Sequence, residues 1–274
     1  MAYYARPEEI LYHTHLSQNM LMGAKIALLP GDPGRVQSLA EAMGPAVELV
    51  SHREYTSYLA QVASQPILVI STGMGGPSTA ICLEELVRLG IKRVIRVGTT
   101  GSIKDSLDLG DVVIIKGAVR LEGTSTHYAP IEFPAVADLD LTQLLVYAAE
   151  MEHIPYEVGI CVSSDTFWPG QERYDSFTGY VLRRFQGSMK EWQQLGVTNY
   201  EMESAAITGL CNLLETAAVF VTSQALGLKA ASICGVVAKR TESEEIAPPE
   251  IYHRAEVRFQ KIVKRGLEEL LQRE

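Results

Sequence analysis

The residues best placed to do chemistry stand in two stretches. One is Asn199-Tyr200-Glu201-Met202-Glu203-Ser204, the other is residues 163–173, which ends in Gln171-Glu172-Arg173. Glu201 and Glu203 are two apart. In extended chain they share a face, and like charges that close need a partner or solvent. A vicinal diol is one such partner, because a carboxylate can accept two parallel hydroxyl hydrogen bonds. An acidic cap beside a positive helix end is the other, and the residue types leave both open. Arginines supply the complementary chemistry. Arg35 follows Pro30-Gly31-Asp32-Pro33-Gly34, in which Asp32 reads as an N-cap, Pro33 as a first helical residue and Gly31 as a point of turn or close approach. A strand, a glycine loop, a helix start and an arginine can hold an anion, or can be an ordinary strand-to-helix turn. Arg96, near a strand end before Gly98-Thr99-Thr100-Gly101-Ser102, is a second candidate anion ligand.

The elements that must position these residues follow from periodicity and breakers. Strands are expected at 25–29, 47–50, 58–62, 67–71, 93–97, 111–115, 157–162 and 231–238. Helices are expected at 36–43, 79–89, 141–151, 188–195, 203–213 and 250–271. Ser51-His52-Arg53-Glu54-Tyr55 reads as a charged hairpin, and 72–78 and 98–102 as glycine loops. Ser188 and Glu191 have capping-box spacing. Strands alternate with helices, with no linker or internal repeat. That predicts one α/β domain spanning residues 1–274, with a central mixed, mostly parallel sheet flanked by helices. Ligands of such sheets gather at strand ends, where the Gly31, Gly73 and Gly98 segments and the Glu201–Glu203 pair all fall.

Composition narrows the function classes. Hydrophobic residues make up 47% of 274, enough for a large core, and the net charge of −9 argues against nucleic acid or an anionic membrane as partner. A few convergent arginines can still bind a small anion. Cys82, Cys161, Cys211 and Cys234 lie in separate apolar stretches, which predicts buried thiols in a reducing compartment. Glu8 and Glu9, with no apolar run, predict no signal peptide. Residues 216–238 are the most apolar stretch, yet Thr222, Ser223, Gln224, Gly227 and Lys229 break them into a helix, a turn and a strand instead of a membrane span. His13 and His15 have no third ligand at metal-binding spacing. GxxxxGK[ST], GxGxxG, GxSxG and HExxH are absent, which disfavours a P-loop NTPase, a dinucleotide oxidoreductase, an esterase and a zincin.

Taken together, Leu29-Pro30-Gly31-Asp32-Pro33, Ser51-His52-Arg53-Glu54, residues 71–78, Gly98-Thr99-Thr100-Gly101, residues 163–175 and Tyr200-Glu201-Met202-Glu203-Ser204 resemble the uridine phosphorylases of the nucleoside phosphorylase family. The match is collinear from about His13 to Thr241, and Gln171-Glu172-Arg173 is the mark of the uridine branch. The resemblance implies reversible phosphorolysis of uridine and deoxyuridine to uracil and (deoxy)ribose 1-phosphate by a cytoplasmic pentosyltransferase. It implies no organic cofactor, with inorganic phosphate as co-substrate, and a homohexamer built as a trimer of dimers. Gly31, Arg35, Arg96 and Thr99 are implied as the phosphate site, joined by Arg53 of a neighbouring subunit. Met202 and Glu203 are implied for ribose, with the neighbour's His13 at the 5′ end. Phe167, Gln171 and Arg173, with Val237 and Arg240, are implied for the base. A potassium ion near Glu54 and Ser78 at a dimer interface belongs to the same implication. Arg173, Glu203 and Arg96 would carry the catalysis.

The residue types suit that reaction. Phosphate needs guanidinium groups to bind and orient it. As the C–N bond breaks, the sugar becomes cationic and the base anionic, so a carboxylate is wanted at one and donors at the other. The chain departs from the family at Trp168, where tyrosine is common, at Ala238-Lys239, and in a longer stretch between Cys211 and Ala231. A broader-specificity or purine nucleoside phosphorylase and a non-catalytic nucleoside-binding or storage protein are the alternatives. Against purines stands the lack of an acid in Lys239-Arg240-Thr241, the nearest being Glu242. Against mere storage stands the joint presence of Arg35, Arg53, Arg96, Gln171, Arg173 and Glu203.

Overall fold

The computed structural model describes residues 3–206 and 221–273. Its strands are β1 (Ile26–Leu29), β2 (Ala46–His52), β3 (Tyr55–Val62), β4 (Gln65–Ile70), β5 (Arg93–Ser102), β6 (Val112–Leu121), β7 (Ala135–Val136), β8 (Tyr156–Ser164), β9 (Asn199–Glu201) and β10 (Lys229–Lys239). Its helices are α1 (Val36–Met43), α2 (Gly76–Arg88), α3 (Leu139–Met151), α4 (Ser188–Gln194), α5 (Val221–Ala225) and α6 (Pro249–Arg273). The strands form one mixed sheet in the order β10-β6-β8-β9-β5-β1-β4-β3-β2, with β7 on β6 and a further β10–β5 pairing that closes part of the sheet on itself. β1, β4, β5 and β10 run parallel, while β2–β3–β4 is an antiparallel meander.

β1 is buried at all four positions because both faces of the sheet are covered. Ala27 and Leu29 join Leu68, Ile70 and Val94 under Cys82, Leu83 and Leu86 of α2. Ile26 and Leu28 join Val69, Ile95 and Val97 under α1, α3 and α6, through Leu39, Leu145, Phe259 and Val263. Cys82, Cys161 and Cys234 are free and buried, as expected, and burial pushes the Cys234 thiol up to about 12. Cys211 lies outside the described residues, as does the expected helix beyond residue 206; residues 203–206 are a turn. Of the apolar stretch, residues 216–220 are likewise outside, followed by α5, a turn at Gly227 and β10. No helix among the described residues is long and apolar enough to cross a membrane.

Two local expectations change. Residues 98–102 are strand, not loop: β5 runs to Ser102, and Gly98, Thr99, Thr100 and Gly101 pair with Cys234, Gly235, Val236 and Ala238. Glycine is needed there for space. A Cβ at Gly98 would come within 3.0 Å of Arg96 Nη2, and one at Gly101 within 3.0 Å of Arg240 Cδ. The same pairing skips Val237, a bulge that breaks the two-residue alternation of β10. Helix α4 does not use the Ser188–Glu191 box. Gly187 is its N-cap, and the first-turn N–H of Met189 donates to Glu172 Oε2 at 2.7 Å, with Gly187 N–H on Glu172 Oε1.

Candidate active site

The ends of β1, β4, β5 and β10 meet the segment after β8 around a cavity of about 630 Å³. Gly31, Arg35, Glu54, Arg96, Thr99, Phe167, Gln171, Arg173, Met202, Glu203 and Val237 all face it. Val237 does so through the bulge, which lets both it and Ala238 line the wall.

One end is built on Arg96. Its Nη2 donates to Glu203 Oε2, and its Nε lies 3.3 Å from Glu201 Oε2. Both carboxylates are buried and differently tied. Glu201 accepts from the backbone N–H of Glu203 at 2.8 Å and of Ser204 at 2.7 Å, and from Ser163 Oγ. It is thus the cap of the turn after β9. Glu203 accepts the backbone N–H of Gly75 at 2.8 Å and lines the cavity. Burial pushes the Glu203 carboxyl above its ordinary value of 4.5, with Arg96 opposing and Glu201 adding to the shift. Burial also works against charge on Arg96, but Glu203 and Glu201 outweigh it and hold the guanidinium above its ordinary range. Arg96 Nη1 and Arg35 Nε and Nη1 are buried with no hydrogen-bond partner, so this end presents unsatisfied donors. Asp32 Oδ1 accepts from Gly34 N–H at 2.8 Å, the expected cap, over a 3₁₀ turn (Pro33–Arg35) that leads into α1.

The other end is built on Arg173. Its guanidinium stacks 4.2 Å from the Phe167 ring centroid, and its backbone N–H donates to Trp168 O at 2.8 Å. Trp168 stands at right angles to Phe167 and is half exposed. Gln171 and Arg173 face the cavity, while Glu172 between them turns away to cap α4. Arg240 does not line the cavity. It lies behind the wall, donating from Nη2 to the Gln171 carbonyl at 2.8 Å. Glu244 joins the two arginines, with Oε2 2.6 Å from Arg173 Nη1 and 2.7 Å from Arg240 Nε. Glu242, the nearest acid in sequence, instead pairs with Lys239 at 2.8 Å.

His13, Arg53 and Ser78 do not line this cavity. His13 Nδ1 is 2.8 Å from Glu85 Oε1, and Arg53 Nη2 donates to Tyr12 Oη at 3.3 Å, its guanidinium 5.2 Å from that ring centroid. The two are linked: His52 Nδ1 is 2.9 Å from the His13 carbonyl oxygen, and the His52 ring stacks on His15 at 3.6 Å. Glu54 and Ser78 flank Gly73, while among the described residues no three His, Cys, Asp or Glu side chains converge as a metal site. Sequence reasoning missed Met74, Ile246 and Tyr252 in the wall, and Glu244 behind it. Apolar residues on separate segments carry no local signal of a site. Glu244 carries a weak one, four residues after Arg240.

Among families, the one described as the phosphorylase superfamily matches residues 25–215. A uridine phosphorylase of Escherichia coli (strain K12) is 46% identical over 95% of this chain and 98% of its own length. A uridine phosphorylase of Thermococcus kodakarensis is 42% identical over 81% of this chain and 75% of its own. A guanosine phosphorylase of Halorubrum lacusprofundi is 34% identical over 77% of each.

Proposed function

Given that the chain belongs to the phosphorylase superfamily, we propose that it catalyses reversible phosphorolysis of uridine, and of deoxyuridine, to uracil and (deoxy)ribose 1-phosphate. One observation carries this reading. A single cavity has two carboxylates on one guanidinium at one end, and at the other Arg173, which shares the carboxylate of Glu244 with Arg240 behind the wall. That is the charge pattern wanted by a bond whose breaking leaves a cationic sugar and an anionic base.

Phosphate binds the free donors of Arg96 and Arg35 beside Gly31 and Thr99, which orient it for attack at the anomeric carbon. Glu203 takes the ribose hydroxyls beside Met202, and its charge favours the developing cation. Arg173 and Gln171 hold the uracil edge against Phe167 and Val237, and Arg173 stabilises the departing base. Arg240 acts from behind, through Gln171. No side chain forms a covalent bond to substrate, and no organic cofactor takes part.

Arg53 and His13 complete the phosphate and 5′ sides from a neighbouring subunit of a hexamer. In support, neither lines its own chain's cavity, and both sit together on the 12–15 and 51–54 segments. Glu54 and Ser78 offer one side-chain oxygen group each beside Gly73, so a potassium ion there would draw on two protomers. A cytoplasmic location fits the three buried free thiols.

The test is phosphate-dependent base release from uridine, deoxyuridine, thymidine, inosine and adenosine, side by side. Uridine is expected to react fastest. Inosine reacting faster than uridine overturns the base assignment, and a fully active monomer in sedimentation overturns the shared site.

A further inference from the structure

Glu244 is absent from the cavity wall, yet it touches both arginines of the base end. Its Oε2 bridges Arg173 Nη1 and Arg240 Nε, its Oε1 accepts from Arg240 Nη2 at 2.9 Å, and its backbone carbonyl accepts from Arg173 Nη1 at 3.1 Å. Arg173 is 2% exposed and Arg240 4%, so two like charges are held side by side out of water. Such a pair requires a counter-charge. Burial and Arg240 both lower the Arg173 pKa, and Glu244, and after it Asp175, oppose them. The carboxylate also holds one edge of the Arg173 fork, leaving its buried Nε without a hydrogen-bond partner. Arg240, fixed by Glu244, holds the carbonyl of Gln171, which faces the cavity. Glu244 further ties down residues 240–247, whose Ala247 N–H donates to Val237 O at 2.7 Å and whose Ile246 lines the wall.

We infer that Glu244 is the positioning residue of the base site, aligning Arg173 and, through Arg240, Gln171 on the pyrimidine edge, and trimming their joint charge so that the anionic base is stabilised but not retained. This rests on the uridine reading above. Geometry and charge then come apart in two variants. Glu244→Gln keeps size and one acceptor oxygen but removes the negative charge that Arg173 and Arg240 share, so it should bind the departing base too well. Glu244→Ala loses both the alignment and the counter-charge.

The experiment is steady-state phosphorolysis of uridine by the wild type, Glu244→Asp, Glu244→Gln and Glu244→Ala, varying uridine and phosphate separately, with uracil as product inhibitor and thermal unfolding as the fold control. Glu244→Ala is expected to lose on the order of tenfold or more in kcat/KM for uridine, with the phosphate KM within about twofold of wild type. Glu244→Asp should recover part of that loss. Glu244→Gln should bind uracil more tightly, by roughly threefold to tenfold, and increasingly so as pH rises and free uracil ionises. Unchanged uridine kinetics in Glu244→Ala overturn the role. So does an equal loss for uridine and phosphate, or a Glu244→Gln with wild-type uracil inhibition, since a merely structural contact predicts both. Should Glu244→Ala fail to fold, the uracil inhibition of Glu244→Gln decides. A wild type active on another nucleoside and inert on uridine overturns the reaction reading, and this role with it.

Discussion

The two ends of the cavity use the same ingredients in opposite proportion. At Arg96, two carboxylates fixed by backbone N–H groups and Ser163 surround one guanidinium, and all three side chains are nearly inaccessible. At Arg173, two guanidiniums share one carboxylate, which comes from the segment after β10 and is about one-third exposed. The first cluster is held by strand ends and a turn, the second by the segments that follow β8 and β10. Formal charge is therefore −1 in the Arg96 cluster, with Arg35 beside it, and +1 in the Arg173 cluster, whose Arg240 and Glu244 stand just behind the wall. Out of water a fixed charge acts more strongly, so in the proposed reaction the asymmetry serves catalysis as well as packing.

The comparison breaks first at Arg96. Arg96→Ala leaves two buried carboxylates without their counter-ion and the anion end with Arg35 alone of its two arginines. It should cost about 3 kcal/mol or more in stability and take phosphorolysis to background. Denaturant unfolding and phosphate-saturation kinetics check this; a variant with the wild-type phosphate KM and turnover would show that the anion site lies elsewhere. Next is Glu203→Gln, which should lower kcat on the order of 10²-fold through loss of transition-state charge stabilisation. The wild type should also show an acid limb in kcat/KM set above the ordinary glutamate value of 4.5, because burial raises the Glu203 pKa. The sign for stability follows. Between 4.5 and the raised folded value, the folded chain keeps a proton that the unfolded chain releases, so this group's contribution is lost as pH rises through that window. Glu203→Gln should flatten both trends, and an acid limb that persists in the variant would assign it to another group. Smallest is Arg173→Ala or Gln171→Ala, expected to cost about 2 kcal/mol, or roughly thirtyfold, in uridine turnover while leaving phosphate affinity nearly unchanged. A matching loss in phosphate affinity would mean that the two ends are not separable.

Much of this was legible in the chain. Continuous apolar runs gave the buried strands, Asp32-Pro33 gave a helix start, and the collinear motifs pointed to one family and one site. What misled was local chemistry read without its partners. Gly98 to Ser102 has the residues of a loop, yet pairing with β10 keeps it as strand, and the glycines are there to admit Arg96 and Arg240. Ser188 and Glu191 have the spacing of a capping box, yet a carboxylate from outside, Glu172, makes the cap. Glu242 was the nearest acid to Arg240 along the chain, but Glu244 is the one that faces it.

By itself the sequence determined which side chains could do the work and which backbone stretches could be strand or helix, because propensity, capping and apolar periodicity are properties of short segments. The tertiary structure decided what each charged group meets. Arg96 lies more than a hundred residues from Glu201 and Glu203, and Arg173 about seventy from Glu244. Their protonation, reach and orientation depend on burial and on partners that only the closed sheet brings within hydrogen-bond distance. The bulge at Val237, which turns two successive residues into one cavity, arises in the same way, from a register that no single strand contains.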